Sequence, residues 1–236
     1  MPLTRVIDVR LVNDTLESQA CTVFKSFFVS YEQFGSSKPE QITTKTISEL
    51  PIEVTDYVAN GSFASLRDNV TLYDEPEYAI YVRNTDLKSN SYSKYVNKSS
   101  YDFLSKSALN GGEVIISNVA DVGSVFLCPF LSAPMTLGSN VIMLKSDKNQ
   151  WSYFMYLYFR FFKGKDQLVE ITTGSAQPKF NKTAFRSLIV DVPDQFLLEK
   201  FNAFVMPIYK QIDLNLSEIR YLQRLSENHL TAISRR

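Results

Sequence analysis

The C-terminal segment carries the pattern that most limits what this chain can become. From Asp194 onward, Val205, Ile208, Ile212, Ile219 and Leu222 follow a three- and four-residue rhythm interrupted by Asn215, which lays one apolar seam along a helix and keeps it facing a partner. Pro207 lies within the segment and either kinks it or marks where the helix settles after an irregular first turn. Ile219 and Leu222 are too far along to be covered by a compact core unless the helix folds back, so a second helix is required. Near the N-terminus, Val9, Val12, Leu16, Ala20, Val23, Phe24 and Phe27 fall on one helical stripe and provide the obvious candidate. It comes from the same chain or from a second copy, so the expected contact is an intrachain helix pair or a two-fold dimer.

Between the two helical ends the period changes. Gly35 and Pro39 punctuate the chain and mark a boundary, and a new unit starts near Thr43. Short runs rich in β-branched and aromatic residues follow: residues 78–83, 113–117, 123–128, 139–145 and 185–192 read as strands, with Asn110-Gly-Gly112 as a turn before the second. The aromatic run 149–162 is long for a strand and ends at Gly164, which favours a buried helix, and its density is explained by core packing rather than by a base-stacking platform. The segment 88–101 is too polar for a core strand.

Composition bounds the function classes. With 236 residues and 44% hydrophobic content, one good-sized core plus an appendage is the default. Twenty-five basic and twenty-five acidic residues cancel, so contact with a nucleic acid must come from a local basic surface. Cys21 and Cys128 lie in apolar company without metal-ligand spacing and read as buried thiols in a reducing compartment. No signal-peptide pattern and no membrane-length apolar run is present, so the expectation is a cytoplasmic protein without a membrane partner. Nothing assembles an active site. The Gly-rich phosphate loop, the Gly-x-Gly-x-x-Gly turn and the Asn/Asp-Pro-Pro-Tyr/Phe tetrapeptide of adenine methyltransferases are missing, and Pro193-Asp194 with Glu199-x-Phe201 lacks a nuclease lysine. His229 is the sole histidine and sits in the helical tail, where an exposed helix-face position is the simpler reading.

What remains is a set of polar loops. In residues 88–101, Lys94 and Lys98 can neutralise phosphates, Asn90 and Asn97 can pair with base edges, and Tyr92, Tyr95 and Tyr101 offer hydrogen-bonding or stacking faces; a solvated loop with tyrosines anchoring it to the core is the competing reading. In residues 172–182, Gln177 can pair with adenine and Lys179 and Lys182 can hold phosphates, while Gly174 and Pro178 fix the loop shape; here the competing reading is a structural turn. In Asn60-Gly-Ser-Phe-Ala-Ser-Leu-Arg67, a tight turn presents Ser62 and Arg67, with Phe63 and Leu66 packing inward, and structural and phosphate-contacting roles fit equally.

Three stretches in order, Phe24-Lys-Ser-Phe-Phe-Val-Ser-Tyr-Glu-Gln-Phe-Gly35, Tyr57-Val-Ala-Asn-Gly-Ser-Phe-Ala-Ser-Leu66 and Ile171-Thr-Thr-Gly-Ser-Ala-Gln-Pro-Lys-Phe-Asn-Lys182, resemble the specificity subunit of type I restriction-modification enzymes. Val82-Arg-Asn-Thr-Asp-Leu87 and residues 110–123 add to the likeness. The resemblance covers nearly the whole chain, but with one recognition domain where the family has two. It implies an α/β (α+β) fold: one mixed-sheet target-recognition domain flanked by long amphipathic helices that form an antiparallel coiled coil, with residues 1–40 and 194–236 as helical conserved regions and 41–193 as the DNA-binding domain. It implies a non-catalytic subunit that reads a half-site of double-stranded DNA, holds no metal or cofactor, and docks methyltransferase subunits. Restriction/translocase subunits join through these, S-adenosylmethionine, ATP and Mg belong to the partner subunits, and a homodimer supplies the second half. The candidate DNA contacts are then Asn60, Ser62, Arg67, Lys94, Tyr95, Asn97, Lys98, Tyr101, Gln177, Lys179 and Lys182. In the 172–182 loop the near-constant wording across the family suits backbone positioning better than base choice. The competing readings are an orphan scaffold that does not bind DNA, or a fragment of a fused restriction-methylation enzyme.

Overall fold

A computed structural model describes the backbone of residues 2–234 and the side chains of residues 4–226, so His229 lies outside the described side chains. In chain order the elements are α1 (Pro2–Phe28), β1 (Ile42–Thr46), β2 (Glu53–Asp56), α2 (Phe63–Asn69), β3 (Leu72–Tyr73), β4 (Ala79–Val82), α3 (Asn84–Ser89), β5 (Tyr95–Val96), α4 (Lys98–Phe103), β6 (Ala108–Leu109), β7 (Val114–Ser117), β8 (Val125–Leu127), β9 (Met135–Leu137), β10 (Val141–Lys145), α5 (Ser152–Phe161), α6 (Lys163–Glu170), α7 (Lys182–Arg186), β11 (Ile189–Pro193) and α8 (Gln195–Ser234). They form two compact bodies, one of Met1–Pro39 with Glu199–Arg236 and one of Glu40–Leu198.

The first body is an antiparallel helix pair. Arg5 meets Glu218, Asn13 meets Asn215, and Phe24, Phe27 and Phe28 gather around Phe201. Along α8, Val205 and Ile219 are buried, and Ile208, Ile212 and Leu222 are half-buried. Its partner is α1 of the same chain, where Val6 and Val9 pack on Ile219. Burying such an aliphatic side chain contributes about 1.5–3 kcal/mol. The helix runs unbroken through Pro207, whose missing N–H removes one ladder bond without ending the element. On α1 the stripe differs from the expected one: Val12 is 50% exposed, and Asn13 turns inward in its place. A seven-residue repeat places Val6, Asn13, Ala20 and Phe27 on one line and Val9, Leu16 and Val23 on the next, and Val12 falls outside both. Cys21 is half-buried rather than buried.

The second body holds three sheets. The strands β1 and β11 pair antiparallel, so the chain begins and leaves this body on adjacent strands. A four-stranded antiparallel sheet runs β2-β10-β7-β8, and a five-stranded mixed sheet runs β3-β5-β4-β9-β6, with β4 and β9 parallel. Ile115, Val141 and Met143 from the first meet Val82, Leu109, Met135 and Leu137 from the second in one cluster. The other side of the five-stranded sheet is covered by Leu66 of α2 and by Leu104 after α4, which pack on Ala79, Tyr81 and Val96. The aromatic run is a helix, α5, with Phe154, Leu157 and Phe159 fully buried.

Four expectations are corrected here. The helix α5 ends before Gly164, which lies inside α6 at a point where a Cβ would come within 2.5 Å of the Tyr158 ring. Residues 185–188 are not strand: Asn181 caps α7 by accepting from Ala184 N at 2.8 Å, and Phe185 is buried from a helix. The polar 88–101 segment contains β5, in which Val96 is fully buried between β3 and β4. Phe63 points outward, 79% exposed, and Leu66 alone anchors α2. Among the described residues no helix is long and apolar enough to cross a membrane.

Candidate nucleic-acid interface

Two loops of the second body are joined along their backbones. The connection between β7 and β8, residues 118–123, is closed by Ser117 N donating to Ser124 O at 2.9 Å and Gly123 N to Ser117 O at 3.0 Å. The loop after α6 closes on itself, with Thr173 N donating to Lys179 O and Lys179 N to Thr173 O, both at 2.9 Å. Gly174 makes that closure possible: its φ is +89°, and a Cβ would sit 2.9 Å from the Gln177 carbonyl oxygen. Ala120 N then donates to Pro178 O at 2.9 Å, Phe180 N to Asn118 O at 3.1 Å, and Asn118 Nδ2 to Phe180 O at 3.2 Å. These bonds close the loop at its base, and residues 175–177 stand outward as a tip carrying exposed Gln177. Neither Gln177 nor Lys179 has a side-chain partner among the described residues, and both are exposed.

A third element is tied to the same base. Asp121 accepts from Asn84 Nδ2 at 2.8 Å and from Ser124 Oγ at 2.7 Å, and Lys88 Nζ lies 2.6 Å from its Oδ2. Burial alone would raise the Asp121 carboxyl, but the hydrogen bonds from Asn84, Lys88 and Ser124 outweigh it and hold the group below its ordinary value. The helix α3 that presents Asn84 and Lys88 is fixed by Asp86, which accepts from Arg83 N at 3.0 Å and pairs with the Arg83 guanidinium. Asn84 Oδ1, Ser117 Oγ and Asn118 Oδ1 remain buried without a protein partner, unused polar capacity at the foot of the loops.

The other expected contacts, Arg67 aside, have partners within the protein. Lys182 pairs with Asp56 at 2.8 Å, and the same carboxylate caps the turn at Tyr57–Asn60 by accepting from Ala59 N. Lys94 pairs with Asp74, and Lys98 pairs with Asp102 at 2.8 Å one helical turn on while lying over the Tyr78 ring. Hydrogen bonding to Asp102 raises the Lys98 ammonium above its ordinary value. Asn97 caps α4, accepting from Ser100 N at 2.9 Å, and donates from Nδ2 to Tyr73 Oη. Asn60 uses both ends of its amide, donating to Tyr57 O and Ser107 Oγ and accepting from Lys106 N. Ser62 caps α2. Tyr95 donates to Tyr92 O, and Tyr101 lies beside Tyr78. Arg67 is 80% exposed and only 3.9 Å from the equally open Asp68. The turn of Asn60, Ser62 and Arg67 and the segment Lys94 to Tyr101 are brought together through α2, α4 and the Tyr57, Leu66 and Tyr101 packing. The tip with Gln177 and Lys179 is built separately, on the 118–123 loop.

Sequence reasoning on the loops missed Asn84, Lys88, Asn118 and Asp121. Asn84, Asn118 and Asp121 lie in the stretches 82–87 and 110–123, and Lys88 directly follows the first. An open cleft of about 540 Å³ lies elsewhere on this body between Glu53, Glu113, Lys145 and Lys148. Its charges are mixed, and the buried Glu113 serves the turn before β7 by accepting from Asn110 N and Gly111 N. Among the described residues no group of three His, Cys, Asp or Glu is placed to hold a metal ion.

The comparisons with known proteins agree with one another. Residues 53–215 match the family profile described as the type I restriction modification DNA specificity domain. Over 230 residues the chain is 22% identical to the type I restriction enzyme MjaIX specificity subunit of Methanocaldococcus jannaschii, an alignment that takes in 91% of this chain and 51% of the relative. The fold is similar to the type I restriction-modification system S subunit from M. genitalium, with TM-score 0.57 and 14% identity over 96% of this chain and 56% of that one. A chain from a structural study of type I R-M complex assembly aligns with TM-score 0.53 and 14% identity over 94% and 53%. This chain therefore spans about half the length of the relatives it matches.

Proposed function

Because this chain belongs to the type I restriction modification DNA specificity family, we propose that it is a non-catalytic reader of double-stranded DNA, supplying one recognition body where its relatives have room for two. The body of Glu40–Leu198 reads a short half-site, and the helix pair docks methyltransferase subunits, through which restriction/translocase subunits join. S-adenosylmethionine, ATP and Mg act on those partners. A second copy supplies the other half-site; because the α8 seam is covered by α1, that copy makes contact outside the seam, where Val12, Leu214 and Tyr221 are exposed.

One observation carries the reading of the DNA face: Gln177 and Lys179 stand exposed and unpartnered on a tip whose backbone is fixed by the neighbouring loop. Although the near-constant wording of the loop favours backbone positioning, a free carboxamide in that setting can also donate to and accept from an adenine edge, and the ammonium beside it can replace a phosphate counterion. The test is to purify the chain with the methyltransferase subunits of its own system and map which adenines become methylated. Lys179→Ala is expected to weaken all duplexes alike and to lower the slope of log affinity against log salt by about 0.9. Unchanged maps and salt slopes for both Gln177→Ala and Lys179→Ala would favour the scaffold instead, since Lys94, Lys98 and Lys182 already have carboxylate partners.

A further inference from the structure

Along the positions Phe201, Val205, Ile208, Ile212, Asn215, Ile219 and Leu222 the seam of α8 is apolar except at Asn215, and α1 breaks its own seam at the same level. There Asn215, only 8% exposed, donates from Nδ2 to Asn13 Oδ1 at 2.7 Å and accepts at Oδ1 from Gln211 Nε2 at 2.8 Å. Both asparagines occupy positions that the seven-residue repeat reserves for apolar side chains. We infer that the Asn13–Asn215 pair is a positioning element that fixes the axial register of the antiparallel helices.

A repeat of seven residues leaves a seam open to slippage, because sliding one helix by one repeat, about 10 Å, brings apolar residues opposite apolar residues again. In this pair the same slide sets Asn13 against Ile208 or Leu222 and Asn215 against Val6 or Ala20. The buried Asn215 then loses the acceptor of its Nδ2 and the half-buried Asn13 loses its donor, and nothing in the facing seam can hydrogen-bond to them. A second polar link between the helices, Arg5 with Glu218, is too open to the solvent to exclude the slipped state: the two side chains are 59% and 36% exposed. The rings of Phe24, Phe27 and Phe28 around Phe201 oppose slippage less selectively, since an apolar surface accepts many apolar partners. The inference concerns the helical body alone and stands whether or not the other body reads DNA.

Disulfide trapping in the full chain reads the register directly. In a background with Cys21→Ser and Cys128→Ala, Val9→Cys with Ile219→Cys reports the observed register, because those two residues share one cluster, and Val9→Cys with Ile212→Cys reports a slip of one repeat. With both asparagines present, the first pair is expected to close at least about tenfold faster than the second under mild oxidation. Asn13→Val with Asn215→Leu should narrow that difference to a few-fold while raising the thermal midpoint, since a buried polar pair specifies register at a cost in stability. Returning an asparagine pair one repeat along, as Ala20→Asn with Ile208→Asn in the apolar variant, should restore the difference. A double apolar variant that keeps the full difference would overturn the inference, leaving the aromatic cluster as the device. One that melts below the parent would also overturn it, by making the pair a stabilising contact.

Discussion

Two parts of the second body carry nearly the same residue types and use them in opposite ways. Between Lys94 and Tyr101, each lysine has a carboxylate within reach, Asn97 is spent as a helix cap, and Tyr95 donates to a nearby carbonyl. At the tip after α6, backbone bonds of Thr173, Pro178, Lys179 and Phe180 close the loop, and the side chains of Gln177 and Lys179 are left over. A lysine, an amide and a loop are therefore not a recognition surface by composition. What decides is whether the backbone can hold its shape without recruiting those side chains. In residues 94–103 a two-residue strand and a six-residue helix need caps and ion pairs to persist, whereas the tip borrows hydrogen bonds from a neighbouring loop.

The sharpest way to break this contrast is to exchange the expected phenotypes of its two amides. Gln177→Ala should cost about 1–3 kcal/mol on the preferred duplex in the methyltransferase complex and leave the melting temperature unchanged. Asn97→Ala should do the reverse, lowering stability by about 1 kcal/mol through loss of the α4 cap, with site preference intact in a competition assay. If Asn97→Ala relaxes site preference without destabilising the fold, the assignment of the two faces is inverted.

A third prediction concerns the foot of the tip. The folded-state pKa of Asp121 lies below the unfolded value, so its contribution to stability is complete above the ordinary carboxylate range and is lost as pH falls through the folded value. On acidification below that range, hydrogen exchange at the 118–123 loop and at α3 should accelerate before the sheets open, and Asp121→Asn should show the faster exchange already at neutral pH. Equal exchange in variant and parent at both pH values would detach α3 from the loop. The smallest effect is expected at Lys98, whose link to Asp102 is open to solvent: Lys98→Ala should move neither the melting temperature nor DNA affinity measurably, and a clear loss of affinity would return this face to candidacy.

The contrast also shows what could be read from the sequence alone. The α8 seam was legible because Val205, Ile208, Ile212, Ile219 and Leu222 keep one face apolar without outside help. The facing stripe on α1 was misread at a single position, since a polar residue in a seam looks like a break until its partner is known, and Asn215 lies 202 positions from Asn13. Strand β5 was hidden because Tyr95 and Val96 are too few to show alternation, and their burial is decided by β3 and β4 on either side. Residues 185–188 carried strand-like composition, but the Asn181 cap turned them into a helix end. For the candidate site, residue types were readable and availability was not. Lys94 with Asp74 and Lys182 with Asp56 are joined across the fold, and no local pattern announces such a pairing.

The ring cluster at one end of the helix pair has a consequence for how such a chain can change over generations. Phe28, the last residue of α1, lies with its ring centroid 4.9 Å from that of Phe201, so the polypeptide leaves the helical body and returns to it at neighbouring points. Everything between those points is an inserted loop from the standpoint of the helices, and β1 and β11 close it from within by pairing its first strand with its last. Genetic exchange with crossovers in residues 29–41 and 194–200 would replace the inserted body while leaving α1, α8 from Phe201 onward and their seam unaltered. A different inserted body would then arrive in one recombination event rather than by a succession of substitutions, each of which would have to preserve the fold.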